Sequence, residues 1–186
     1  GTSEKSKKIL KTTLENLSVP CLIDADGLNL IAEHRKYMDR IPHDHLIITP
    51  HMKEMSRLTG ISVLELKSRR MEILKEFTEK HHITCVLKDS STVVASPGER
   101  AYINRSGNAS MAKAGAGDVL AGIVAGLMAQ GMDCQEAGIL GTYLHGRAGD
   151  LARREKGSYS VMAGDLIEYL SEAFKEQEEK NYEQLY

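Results

Sequence analysis

Apolar residues along this chain switch between helical and strand-like patterns. Residues Ser3 to Leu17 carry leucine and isoleucine on one side and lysine elsewhere, which is typical of an amphipathic helix. Short continuous apolar runs follow at Val19 to Asp24, His45 to Thr49 and His82 to Lys88, and such runs are typical of buried parallel strands. This alternation of helix and strand predicts an α/β fold with a mostly parallel sheet.

The remaining pattern predicts further helices and one hairpin. A short helix is expected to end at about Met38, and Ser62 to Lys80 predicts one or two helices. Thr92 to Ala95 and Ala101 to Asn104 flank a Ser-Pro-Gly-Glu turn, which predicts a hairpin. Only three or four sheet strands can be counted, which is few for a sheet of this class. We therefore expect N-terminal strands of the sheet to be missing from this chain.

The C-terminal third is predicted to be helical. An apolar repeat every four residues ends at Gly131, where a left-handed glycine is expected to close the helix. Asp133 begins a capping-box pattern for the next helix. A last helix is expected over Ser160 to Phe174, and the charged residues 175–186 are interpreted as a solvated or frayed tail. The predicted organisation is part of a single domain over residues 1–174, followed by that tail.

Composition argues against several classes of partner. The chain has 186 residues, a formal net charge of −2, no Trp, seven Tyr and two Phe, which gives no basis for nucleic-acid binding. No apolar run is long enough to cross a membrane. Cys21, Cys85 and Cys134 lie far apart without the spacing of metal ligands, which favours a reducing, cytoplasmic setting.

The most informative stretch is a Gly-rich loop that leads into a helix. Gly115, Ala116 and Gly117 precede Asp118, and the unpaired N–H groups of a helix start favour a phosphate. The loop is not a P-loop, because Lys113 lies before the glycines, and it lacks the glycine spacing and preceding strand of a Rossmann motif. Asp118 is therefore either a helix cap or a catalytic base, and the loop alone leaves both interpretations open.

Other polar residues follow the predicted strands. Parallel strands bring their carboxyl ends to one edge of a sheet, where the ligands of open α/β sheets bind. Each of these residues also has an ordinary structural alternative. Asp26 and Asn29 could be helix caps, and His51 could be a solvated residue at a helix start. Lys88 could be a surface residue and Asn108 a turn residue. Their joint placement with Asp118 indicates a binding site. These residues are Asp26, Asn29, His51, Lys88 and Asn108.

Several segments, taken in order, resemble the ADP/ATP-dependent NAD(P)HX dehydratase family, a branch of the ribokinase-like fold. The resemblance implies a ribokinase-like three-layer α/β/α domain whose N-terminal strands are missing here. It also implies a homotetramer, with a separate N-terminal fragment of the same protein as a candidate partner. The segments are Asp24-Ala25-Asp26-Gly27-Leu28-Asn29, Thr49-Pro50-His51-Met52-Lys53-Glu54, Leu87-Lys88, Gly107-Asn108-Ala109-Ser110-Met111-Ala112, Gly115-Ala116-Gly117-Asp118-Val119-Leu120 and Tyr143-Leu144-His145-Gly146 with Ala148-Gly149-Asp150.

This resemblance implies repair of a damaged nicotinamide cofactor. Hydrated NADH or NADPH would be dehydrated to NAD(P)H while ADP or ATP is hydrolysed, with Mg²⁺ accompanying the nucleotide and no protein metal ligand assigned. Asp118 would be the base, and Asp89 stands where the family commonly has glycine. The implied substrate-binding residues are His51, Asp26, Asn29, Asn108 and Asp118. The implied nucleotide-binding residues are Lys88, Asp89, Ser90, Ser91, Thr92, Gly115, Ala116 and Gly117.

Two alternatives to dehydration stay open at the level of sequence. One is a small-molecule kinase of the same superfamily that phosphorylates a vitamin-precursor alcohol. The other is an inactive fragment that binds only nucleotide. The products distinguish them, because a kinase releases a stable phosphorylated product whereas repair releases free phosphate and NAD(P)H.

Overall fold

The chain folds around one five-stranded sheet. The structure is a computed structural model, and it describes residues 1–34, 37 and 45–183. The first three strands pair in parallel, whereas the fourth is antiparallel to both of its neighbours. Four strands therefore run in one direction, which confirms the mostly parallel sheet and the predicted hairpin. In sheet order the strands are β1 Cys21–Ile23, β2 Leu46–Ile48, β3 Thr84–Leu87, β4 Val93–Ala95 and β5 Tyr102–Ile103.

The described residues form eight α-helices. The α4 helix bends at Arg69, where φ is −124° and ψ is 26°, so the predicted one or two helices are one kinked helix. None of the helices in the described part of the chain has the length and apolar character needed to cross a membrane. The helices are α1 Glu4–Glu15, α2 Asp26–Glu33, α3 Met52–Thr59, α4 Val63–His81, α5 Ala116–Ala129, α6 Cys134–Lys156, α7 Ala163–Glu168 and α8 Leu170–Glu183.

Helices cover both faces of the sheet. Successive side chains of a strand point to opposite faces, and β2 shows the consequence. Leu46 and Ile48 belong to a core built with residues of α1 to α4, whereas Ile47 belongs to a second core built with α5 and α6. All three side chains are almost completely buried. The arrangement is therefore the predicted three-layer α/β/α sandwich.

Some predicted boundaries differ from the structure. The second helix ends at Glu33, and its predicted end at about Met38 lies outside the described residues. The expected last helix is two helices, because a turn at Tyr169 separates α7 from α8. α8 continues to Glu183, so the tail is helical there rather than frayed. It has a partner that charge counting does not reveal, since Arg147 Nε of α6 lies 2.6 Å from Glu176 Oε2.

The sheet also holds one more strand than the largest predicted count. β5 has only two residues, Tyr102 and Ile103, and it pairs with β4 as the second arm of the hairpin. Both hairpin strands therefore extend the same sheet beyond β3. The predicted boundary between the domain and its C-terminal tail, at residue 174, stays a prediction.

The α5 helix ends as the sequence predicts. Gly131 has a φ of +94°, and its N–H donates to Met128 O at 3.0 Å. The next N–H, of Met132, donates to Leu127 O at 3.3 Å. These two bonds are those of a Schellman closure, which satisfies carbonyls that the helix end leaves free.

Replacing Gly122 by alanine should stabilise α5. Gly122 is exposed, and a β-carbon there would meet nothing within 4 Å. The alanine gains helix propensity without a clash, so the free energy of unfolding should rise by about 0.5–1 kcal/mol. Thermal unfolding would show a higher Tm. Gly131→Ala is the control, since it also has open space but requires a left-handed alanine, and its Tm should fall. An unchanged or lower Tm for Gly122→Ala would contradict the expectation.

Candidate active site

The candidate site lies at the carboxyl edge of the three parallel strands. β1 leads into Asp24, β2 into Pro50 and His51, and β3 into Lys88. Pairing continues past the strand ends, because Lys88 N donates to Pro50 O at 2.8 Å and His51 forms a parallel bridge with Lys88. The polar residues that follow the strands thus lie side by side, where open α/β sheets bind ligands.

Lys88 is held by an ion pair between two strand ends. Its Nζ lies 2.7 Å from Asp24 Oδ1, and the two side chains are only 21% and 13% exposed. A β-carbon built on Gly117 would lie 3.5 Å from Lys88 Nζ, so the ammonium packs against the first turn of α5. Asp24 belongs to the predicted polar strand end but is absent from the predicted site residues. Asp24, Lys88 and Gly117 therefore form one cluster.

Asp118 lies in the first turn of α5 with its side chain exposed. A capping carboxylate accepts a hydrogen bond from a backbone N–H, but the start of α5 has no side-chain cap. Across residues 1–34, 37 and 45–183, nothing forms a hydrogen bond or ion pair with the Asp118 carboxylate. The Asp118 side chain therefore forms no capping hydrogen bond in the described structure, and the carboxylate is free to accept a proton.

The same helix start offers backbone donors. Ala116 N donates to Lys113 O at 3.3 Å and Val119 N donates to Gly115 O at 3.1 Å. Within the described chain, the N–H groups of Gly117 and Asp118 between them have no acceptor. Unpaired N–H groups at the positive end of a helix dipole attract anions. The start of α5 thus presents two donors beside the Lys88 ammonium.

His51 is the N-cap of α3. Its Nδ1 accepts hydrogen bonds from Lys53 N and Glu54 N, both at 3.1 Å, while Glu54 Oε2 accepts from His51 N at 2.8 Å. Because Nδ1 is an acceptor, a neutral ring carries its proton on Nε2. The side chain is 49% exposed, and Nε2 lies 3.6 Å from Glu54 Oε1. The capping box therefore fixes the ring and leaves an N–H donor at the edge of the site.

Asp26 and Asn29 are not helix caps. Asn29 Nδ2 donates to Asp26 Oδ1 at 3.3 Å, and Arg57 Nη1 of α3 donates to Asn29 Oδ1 at 2.7 Å. The side chains tie α2 to α3 instead of closing the first turn of α2.

Asn108 has the turn role that the sequence left open. Its Nδ2 donates to Gly149 O at 3.1 Å and to Asp150 Oδ1 at 2.8 Å, while its Oδ1 accepts from Ser110 N at 3.1 Å and from Ser110 Oγ. The amide is thus fully used within the protein. A direct substrate contact by Asn108 stays an untested prediction, and this geometry does not favour it.

The segment after Lys88 is mostly open. Asp89 Oδ2 lies 4.0 Å from Arg70 Nη1 of α4, which offsets the negative charge of Asp89. Thr92 Oγ1 reaches Asp89 O at 3.4 Å. The hydroxyls of Ser90 and Ser91 have no hydrogen-bond partner in the described part of the chain. They are free to contact a bound group, so their predicted role fits their environment.

His145 on α6 is a residue near the site that sequence reasoning did not select. Burial lowers the pKa of His145 to about 4, and the charge of Lys88 acts in the same direction, against an opposing effect of the Ala116 backbone. Its Nε2 is buried without a hydrogen-bond partner. The ring is therefore neutral at pH 7 and adds no positive charge. A polar residue directly after Leu144, which is fully buried, is the signal that could have found it.

This chain is similar to proteins of a known family. The NAD(P)H-hydrate dehydratase family matches residues 1–172. A bifunctional NAD(P)H-hydrate repair enzyme of Moorella thermoacetica is 41% identical over 172 residues, which are 92% of this chain and 32% of that protein. An ADP-dependent (S)-NAD(P)H-hydrate dehydratase of Neisseria meningitidis is 38% identical over 156 residues, which are 82% of this chain and 52% of that protein.

A solved structure extends the likeness to three dimensions. The ADP/ATP-dependent NAD(P)H-hydrate dehydratase of Bacillus subtilis, co-crystallised with ATP and Mg²⁺ and soaked with CoA, has a TM-score of 0.79 at 28% identity. The match covers 94% of this chain and 62% of that one. The chain thus has the predicted ribokinase-like fold, and it spans about a third to a half of the length of the two relatives described above. On the family match and these identities, the chain belongs to the NAD(P)H-hydrate dehydratase family.

Proposed function

We propose that this chain carries the catalytic part of a nucleotide-dependent NAD(P)H-hydrate dehydratase. The observation that carries the proposal is the unpaired Asp118 carboxylate in the first turn of α5, beside the Asp24–Lys88 ion pair. A free base, backbone donors and a fixed ammonium meet at the edge where the fold binds ligands. Family membership supplies the substrate, which is NADH or NADPH hydrated on the nicotinamide ring.

The proposed chemistry is phosphoryl transfer followed by elimination. Asp118 accepts the proton of the substrate hydroxyl while the hydroxyl oxygen bonds to the terminal phosphorus of ADP or ATP. The bond between that phosphorus and the rest of the nucleotide breaks. Inorganic phosphate then leaves with that oxygen, a proton on the neighbouring ring carbon passes to solvent water, and the ring double bond is restored. The N–H groups of Gly117 and Asp118 are suited to stabilise charge on the transferred group.

In this proposal the other residues of the site bind and orient the nucleotide and the hydrated cofactor. Lys88 contacts nucleotide phosphates from its place between Asp24 and α5, and the free hydroxyls of Ser90 and Ser91 extend the same surface. His51 offers its Nε2–H to the hydrated cofactor. Asp24 holds the Lys88 ammonium in place, and this partly buried pair is better fixed than an exposed one.

Mg²⁺ is proposed to accompany the nucleotide. In the described ranges no group of three His, Cys, Asp or Glu side chains could hold a metal ion. Of the nearby carboxylates, Asp24 is paired with Lys88 while Asp118 is unpaired. This fits an ion held mainly by the phosphates, as Mg²⁺ usually is, with at most a carboxylate of this edge added. When bound, Mg²⁺ would neutralise phosphate charge.

The proposal also covers the assembly of the protein. We propose a cytoplasmic homotetramer, in which an N-terminal segment, joined to this chain or held beside it, supplies further sheet strands and substrate contacts. β1 and β5 are the two edge strands of the described sheet, and we propose that added strands pair with β1. Such strands would also form a wall opposite Asp118.

The direct test is turnover of hydrated NADH. The chain, and any longer protein that contains it, is incubated with hydrated NADH, Mg²⁺ and either ADP or ATP. We expect NADH and free phosphate to appear in equal amounts, as followed by absorbance and a phosphate assay. A stable phosphorylated product would instead indicate the kinase, and nucleotide binding without turnover in every form would indicate an inactive binding fragment. Either result would contradict the proposal.

A further inference from the structure

Helix α6 holds the loop that precedes the candidate base. Asn104, at the end of the hairpin, is buried, and its Nδ2 donates to Thr142 O of α6 at 3.3 Å. Ser106 Oγ donates to Tyr143 O, one residue further along α6, at 2.9 Å. Hydrogen bonds to two successive backbone carbonyls of α6 therefore hold the start of the loop that leads to α5.

Asp150 makes the contact nearest to the Gly-rich stretch. Its Oδ2 accepts from the backbone N–H of Gly107 at 3.0 Å, and its Oδ1 accepts from Asn108 Nδ2 at 2.8 Å. Gly107 has a φ of +96°, a conformation that L side chains rarely adopt. One carboxylate thus clamps the backbone and the side chain of two consecutive loop residues with charge-assisted hydrogen bonds.

The clamp is continuous with the start of α5. The same Asn108 side chain also binds the next part of the loop, because its Oδ1 accepts a hydrogen bond from Ser110 N. A 3₁₀ turn over Ala109–Met111 follows, and Lys113 O then accepts from Ala116 N at 3.3 Å. Ala116 is the first residue of α5, two residues before Asp118. A shift of the loop would therefore move the donors and the base together.

We propose that Asp150 is a positioning residue, whose carboxylate sets the loop 107–115 so that the start of α5 and Asp118 are aligned with the reacting groups. The inference rests on the proposed function and adds a residue that does not touch substrate. Misplacement of reacting groups by about 1 Å can cost roughly 100-fold in rate. The Lys88 ammonium is held by Asp24 rather than by this loop, and Ser90 and Ser91 lie outside the loop, so the loss should fall on kcat more than on nucleotide affinity.

The test compares Asp150→Ala with Asp133→Ala at the opposite end of the same helix. Asp133 Oδ1 accepts from Glu136 N at 2.9 Å, so its loss removes a helix cap and lowers Tm without touching the loop. We expect Asp150→Ala to lower kcat by about 10–100-fold, measured well below its Tm, while the Kd for ADP stays within about a factor of 3. Asp133→Ala should keep the wild-type kcat.

Two results would overturn the inference. In one, Asp150→Ala keeps the wild-type kcat despite a lowered Tm, as a merely structural residue would. In the other, ADP affinity falls by as large a factor as kcat. If Asp150→Ala does not fold, Asp150→Asn takes its place, since its Oδ1 still accepts from Gly107 N while its amide repels Asn108 Nδ2, and a smaller fall in kcat is expected. An inactive wild type contradicts the proposed function itself, which separates the two failures.

Discussion

Asp118→Asn should lower kcat by roughly 10²–10⁴-fold while the fold is retained, because this is the usual contribution of a general base. The amide is close to the carboxylate in shape but cannot accept the substrate proton at neutral pH. In the described structure the Asp118 side chain has no hydrogen-bond or ion-pair partner, so nothing that holds the chain together is removed. Steady-state kinetics with hydrated NADH and ADP would measure the change.

The matched control is Asp133→Asn. Asp133 is also an exposed aspartate at a helix start, but its side chain caps α6. Asparagine caps a helix about as well as aspartate, so both activity and Tm should stay close to the wild type. Asp118→Asn loses only a favourable interaction with the helix dipole, about 0.3–1 kcal/mol. An active Asp118→Asn protein would show that the base is elsewhere.

The strands of the sheet could be predicted from sequence because they are buried on both faces. Ile47 and Ile48 contact different cores, so the strand has no polar side and appears as a continuous apolar run. The ends of these runs also place His51 and Lys88 correctly at one edge. Local sequence could not decide whether each polar residue has a structural role or a ligand-binding role.

Contacts between distant parts of the chain decided those interpretations. Lys88 and Asp24 are 64 residues apart, and no local pattern links them. Asn108 is used by Gly149 and Asp150 on α6, which a single motif cannot reveal. The helical tail likewise makes a distant contact, the ion pair of Glu176 with Arg147 of α6. In each case the sequence shows which chemical group is present, and only the tertiary fold shows what that group contacts.

His51 shows that two interpretations of one residue can both hold. The sequence left a helix-start role and a ligand role as alternatives. The capping box uses Nδ1 for α3, whereas Nε2 of the half-exposed ring lies 3.6 Å from Glu54 Oε1 and is not used by the cap. The helix-start role is confirmed, and it orients the ring for the ligand role, which stays a prediction.

Gly146→Ala should be among the most destabilising single-methyl changes in this chain. A β-carbon at Gly146 would lie 2.6 Å from Ser106 C and 2.7 Å from Ser106 O, and it would also meet Ser106 Oγ. Two of these atoms belong to the backbone and cannot rotate away. Overpacking of this kind costs typically about 1–3 kcal/mol, whereas alanine in a helix gains about 1 kcal/mol over glycine. Because the neighbour is backbone, we expect the cost to lie at the upper end and Tm to fall.

The nature of the neighbour, rather than the presence of glycine, should set the sign and size of the effect. Gly149, one turn further along α6, faces the side chain of Met111, which is only partly buried and can move, so Gly149→Ala should cost less. Gly122→Ala meets nothing and should stabilise. The strain in Gly146→Ala also falls on the loop that Asp150 clamps, so kcat should fall together with Tm. Equal Tm values for Gly146→Ala and Gly149→Ala would contradict this close approach of α6 to the loop.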